Sequence, residues 1–296
     1  MIEYIVDNNA HIENNYNSNK IKITTIILLI PFLVFIYHNM GIKSTSINLF
    51  LSFALIATGE FIYSYIVKDS LFDLFNVVIS SIIISIIMPK DVSVILLVTS
   101  IAVGLIINKL LKHKLKFNYL NSPILYTSIL LLLMMILGKN IIYSDSTLYM
   151  SLICLAVIFV QFVMQNIKLP ILIVYVATFL LISYIHVAYN GLEISSLIDK
   201  SLQANILFFA LIASLFKCPV TPVGQILCGL FLGIITCIFA CFINPCCACI
   251  FSILLMNIFT YCLDIVGSVS RFEFNKSIFL FVTAWLLIIV TGLLIK

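Results

Sequence analysis

Charge is what this sequence has least of. Only 9% of its 296 residues are Asp, Glu, Lys or Arg, against about 25% in an ordinary soluble domain. With 63% hydrophobic residues beside them, there is too little polar material to cover a water-facing surface. Soluble enzymes, nucleic-acid binders and disordered chains are excluded on that ground. There is no glycine-rich phosphate loop, no Ser/His/Asp set and no metalloprotease helix motif, which argues against a self-contained hydrolase. The opening MIEYIVDNNAHIENNYNSNK lacks the basic-then-apolar order of a signal peptide, so residues 1–20 are expected to form a short, poorly ordered polar tail. Cysteine is plentiful, at nine, but most lie in apolar runs that no oxidising lumen reaches. Cys237, Cys241, Cys246, Cys247, Cys249 and Cys262 crowd together without the paired Cys-x-x-Cys spacing of a metal or Fe–S centre. They are read as small packing residues, and no metal site is expected.

What is present is a series of long apolar runs. They fall at about 21–38, 46–67, 74–88, 92–110, 122–138, 148–165, 169–188, 203–217, 225–243, 247–265 and 277–295. A spanning helix needs roughly 20 apolar residues, and backbone in lipid must satisfy its own hydrogen bonds, so all eleven runs are expected to be helical. A β-barrel would alternate polar and apolar residues, and these runs do not. The lipid bilayer is thus the first partner. Assigning successive connections to alternate sides places Lys20, Lys22, Lys68, Lys109, Lys112, Lys114, Lys116, Lys168, Lys217, Arg271 and Lys276 on the N-terminal side. Lys43, Lys90, Lys139, Lys200 and Lys296 fall opposite. Eleven against five puts the N-terminus in the cytoplasm by the positive-inside rule.

The third and eighth runs are short, and both end in proline: Pro89 after IISIIM, and Pro219 and Pro222 after IASLFKC. Each is followed by a long apolar helix, a polar turn, and a helix opened by Asn and Pro, Asn121-Ser122-Pro123 in one case and Asn244-Pro245 in the other. Proline stops a helix just past its end and starts one cheaply at its first turn. The pattern predicts an all-α integral membrane protein of two five-helix repeats, 21–138 and 148–265, joined by a short external loop at 139–147. One extra transmembrane helix would follow at 277–295. Five is odd, so the second copy is inverted. Broken helices at matching positions of inverted repeats point to a site near the bilayer midplane. Loop punctuation alone would leave similar prolines.

Polar groups inside apolar runs need a reason. Glu60, Asp264 and Asn257 could line a cation or proton path, or could serve as snorkelling and capping groups near the interface. Asn257 could also tie helices together. Asn121 and Thr221 sit at the broken-helix positions, where half-helix ends expose N–H and C=O groups.

The stretch KCPVTPVGQILCGLFLGIITCIFACFINPCCACIFSILLMNIFTYCLDIV resembles the end of the RnfD/NqrB family, the membrane subunits of ion-translocating, flavin-dependent electron-transport complexes. Pro219, Val220 and Thr221 match its Pro-Val-Thr element, and Gly224, Gly229 and Gly233 its glycine ladder. Pro245, Asn257 and Asp264 match its Pro turn and its closing Asn and Asp. Earlier in the chain, Glu60, Pro89, the Asn118 and Asn121 pair, and Lys168-Leu169-Pro170 resemble further family positions. The likeness covers about 20–266. It implies a urea-transporter-like fold of ten helices in two inverted repeats, a bacterial cytoplasmic (inner) membrane, and other Rnf/Nqr-type subunits as partners.

The sequence also departs from the family. Cys218 stands where the family has Asp, and Tyr119 and Ser122 where it has prolines. The family's long external loop, whose threonine carries FMN through a phosphoester, is reduced here to residues 138–147 and contains no Gly-Ala-Thr. Thr147 is near the right place, but covalent FMN is not expected. The resemblance leaves room for a non-covalent flavin (riboflavin or FMN) at Asn121, Thr221 and Asn257. The expected function is a non-autonomous D-type membrane component that scaffolds electron transfer coupled to cation movement through Glu60 and Asp264. The alternative is a stand-alone urea-transporter-like channel or transporter that has lost redox function.

Overall fold

The structure is a computed structural model. It describes residues 10–66, 73–89, 92–114, 121–139, 141, 143, 148–164, 167–189, 205–215 and 218–269. The expected span at 277–295, Thr147 and Lys217 lie outside the described residues. The described residues form ten α-helices: α1 Ala10–Met40, α2 Ile42–Ile66, α3 Leu74–Ile87, α4 Val94–Lys114, α5 Ser122–Ile136, α6 Leu148–Val163, α7 Leu169–Tyr189, α8 Ile206–Leu215, α9 Pro222–Ala240 and α10 Pro245–Val269. No strand occurs among them.

Each helix falls on one of the apolar runs, and its ends follow from local chemistry. Gly41, at φ +90°, separates α1 from α2. Pro123 sits in the first turn of α5, and Pro222 opens α9 behind an extended Thr221 whose side chain caps Gly224 N. Proline costs nothing there, because the first-turn N–H groups have no helical acceptor. The polar stretch expected as a loose tail differs: from Ala10 onward it is the first part of α1. Once the apolar run has nucleated a helix, each added residue gains a bond without a new nucleation cost.

Among the described residues, five helical stretches have the length and composition to cross a membrane: Lys20–Asn39, Ile42–Tyr65, Val94–Lys112, Leu169–Tyr189 and Pro222–Ala240. Helices α3, α5, α6 and α8 have only 14, 15, 16 and 10 residues. At 1.5 Å per residue, a 15-residue helix reaches about 22 Å, short of roughly 30 Å of hydrocarbon.

The chain divides into two compact units, Met1–Ile87 and Met88–Lys296. This division falls inside the stretch expected as the first repeat. In the first unit α3 packs on α1 and α2. Its residues from Ile79 to Ile87 are all buried, with Leu29, Phe32 and Ile36 of α1 in the same core. Asp73 starts α3, accepting from Asn76 N and Asn76 Nδ2, and pairs with Lys22 of α1.

In the second unit α9 packs along both α7 and α10, α4 packs on α5, and α10 also meets α5 and α8. A buried hydroxyl chain ties three of these helices. Tyr175 Oη lies 3.2 Å from Thr236 Oγ1, which lies 2.7 Å from Ser252 Oγ. With water absent from such a core, hydroxyls on facing helices satisfy one another.

Candidate functional site

The densest polar arrangement in the second unit surrounds residues 218–221, where the chain passes from α8 into α9. These four residues have few local partners for their peptide groups, because Pro219 and Pro222 lack N–H and neither helix has yet begun or still continues. Side chains from three helices take up the load. Lys168, at the start of α7, donates from Nζ to Cys218 O at 3.1 Å and Pro219 O at 3.0 Å. Gln225 of α9 donates from Nε2 to Pro219 O and Val220 O, both at 3.2 Å. Asp264 of α10 accepts at Oδ1 from Val220 N at 2.7 Å, Thr221 N at 3.1 Å and Thr221 Oγ1 at 3.3 Å.

A carboxylate at this position is favourable twice over. Successive N–H groups form an anion-binding concavity, and the start of α9 carries the positive end of the helix dipole. Gly224 makes the approach of α10 feasible: a Cβ there would lie 2.9 Å from Leu263 O. Burial pushes the Cys218 thiol above the ordinary cysteine value, with Lys168 pulling the other way.

The residues singled out in the sequence therefore separate. Thr221 and Asp264 are brought together directly. The Thr221 hydroxyl both donates to Asp264 and accepts from Gly224 N. Asn121 is buried just before α5, and among the described residues its Oδ1 has no hydrogen-bond partner. Asn257 is buried within α10, and its Nδ2 likewise lacks a partner. Glu60 is half-buried in α2, in the first unit.

Sequence reading missed two buried amides. Asn108 of α4 is fully buried, donates from Nδ2 to Ser122 Oγ at 3.4 Å, and leaves Oδ1 without a partner among the described residues. Gln161 of α6 is fully buried, with neither amide atom bonded among the described residues. The signal is present in the sequence: an amide inside the run IFVQFV is costly in lipid and asks for an explanation. Lys168 is marked in the sequence by its charge and by the Lys168-Leu169-Pro170 resemblance, neither of which shows the carbonyls it meets.

Buried amides and hydroxyls between apolar helices, several of them long enough to span a bilayer, define a multi-pass, all-α membrane protein. Residues 5–137 match the family model described as the NQR2, RnfD, RnfE family. No curated protein matches the chain. The matched span ends with α5, so it includes Glu60, Asn108 and Asn121 and leaves the 218–221 clamp outside it.

Proposed function

We propose that the chain is the D-type membrane component of an Rnf-like complex in the bacterial inner membrane, with its N-terminus in the cytoplasm. On this reading it is a non-autonomous scaffold for flavin-linked electron transfer coupled to cation movement. The observation that carries the reading is the family match over residues 5–137. The ordered Pro-Val-Thr, glycine-ladder, Asn and Asp positions further along the chain support it. The two inverted repeats, 21–138 and 148–265, belong to the same proposal.

A flavin, when bound, supplies one- and two-electron redox chemistry. The residues suited to hold one without a covalent link are Asn121 and Asn257, whose unpartnered Oδ1 and Nδ2 offer an acceptor and a donor. The Thr221 hydroxyl already has partners on both sides, so its part is to hold the start of α9. A hollow of about 400 Å³ is lined by Leu132, Met135, Phe239, Ile243, Phe251, Leu254, Leu255 and Ile258. It offers no hydrogen-bonding side chain and suits an apolar chain better than a flavin edge. For the cation, Glu60 is the carboxylate proposed in the first unit. Asp264 joins such a path only on leaving the amides of Val220 and Thr221.

The test is purification of the full-length chain from native membranes in mild detergent. Other flavin-containing membrane subunits should co-purify, and the denatured chain should show no in-gel flavin fluorescence. Isolation without partners, together with solute flux in liposomes, would replace this reading with the stand-alone transporter.

A further inference from the structure

We propose that Lys168 and Asp264 act as a charge pair through a peptide group, and that this pair latches together the adjoining ends of α7, α9 and α10. Among the described residues the two side chains form no direct ion pair. They grip opposite ends of the same peptide unit instead. The carbonyl of Pro219 accepts from Lys168 Nζ at 3.0 Å, and the N–H of the next residue, Val220, donates to Asp264 Oδ1 at 2.7 Å. A cation at the oxygen and an anion at the hydrogen both polarise that peptide in the same sense. Each bond therefore strengthens the other.

The neighbouring groups extend the grip on both sides. Lys168 also takes Cys218 O, and Asp264 also takes Thr221 N. The anchoring residues lie about 50 positions from the loop in one direction and 44 in the other. The latch is thus a tertiary joint. Its lysine opens α7, its loop opens α9, and its aspartate lies toward the end of α10. Neutralising either charge removes the polarisation that the other end depends on, so the joint should open as one unit and expose Cys218. The inference rests on this geometry alone and stands whether or not the chain serves an electron-transport complex.

The experiment is alkylation of Cys218 by N-ethylmaleimide in the detergent-solubilised full-length chain, with the modified peptide quantified by mass spectrometry. Labelling of a sheltered thiol reports the population of the open joint when closing is fast. Because the lost bonds are charge-assisted, Asp264→Asn and Lys168→Met should each speed labelling by about tenfold or more. Coupling predicts that the double variant exceeds the faster single by no more than about twofold. Cys241, exposed just past the far end of α9, should keep its rate throughout. Rates that multiply in the double variant, or a single variant labelling like the unaltered chain, would overturn the proposal. If Asp264→Asn fails to accumulate, Lys168→Arg against Lys168→Met decides: the arginine keeps the charge and should hold Cys218 closed, and equal acceleration by both refutes the latch.

Discussion

A Cβ built on Gly229 would lie 2.7 Å from the carbonyl oxygen of Ile171. One turn further along α9, a Cβ on Gly233 would lie 2.6 Å from Thr178 Cβ. The pair forms a Gly-x-x-x-Gly face on which α7 rests almost backbone to backbone. In lipid, where no hydrophobic effect drives helices together, such close packing is a main source of association.

Alanine at either glycine should therefore loosen α7 from α9. Overpacking of this kind costs about 1–3 kcal/mol. Both should be severe, because the Ile171 carbonyl and the Thr178 Cβ are each fixed to the α7 backbone and cannot swing aside. Gly138 supplies a comparison: nothing lies within 4 Å of its Cβ position, and its φ of +64° leaves only local strain. Thermal unfolding in detergent should show Gly229→Ala and Gly233→Ala each more destabilised than Gly138→Ala. Equal stability of Gly229→Ala and the unaltered chain would contradict the packing described.

Gln161 makes a prediction of opposite sign. Its amide is buried in α6, and among the described residues neither polar atom is bonded. A buried polar group left unsatisfied costs about 1–3 kcal/mol. Gln161→Leu should accordingly raise the unfolding midpoint of the isolated chain. A lowered midpoint would mean that a ligand, a water or a partner group satisfies the amide in the folded protein.

Orientation follows from the eleven-to-five distribution of basic residues. The Lys109–Lys116 segment should face the cytoplasm. A cysteine introduced as His113→Cys should stay unmodified when intact cells meet a membrane-impermeant thiol reagent, and react once the membrane is opened. Ready labelling from outside would reverse the topology.

Much of the fold was legible in the sequence because a bilayer imposes a one-dimensional rule: an apolar run must be helical, and proline and glycine mark its ends. The run expected at 74–88 is α3 at Leu74–Ile87, and that at 169–188 is α7 at Leu169–Tyr189. Resemblance to family positions also marked Thr221, Asp264 and the glycine ladder. It could not say what each one meets. Thr221 and Asp264 are 43 residues apart in sequence, and their bond exists only because α9 and α10 pack side by side. Packing of α7 on α9 gives Lys168 its carbonyl partners and allows Gly229 to meet Ile171, and α6 packs on α8 with Gln161 buried and without a partner among the described residues. Composition determined that this chain lives in a membrane as helices, since hydrogen-bond satisfaction in lipid is a local demand. Which polar groups pair across those helices was decided by tertiary structure, because a side chain's partner depends on facing surfaces that no run of neighbouring residues specifies.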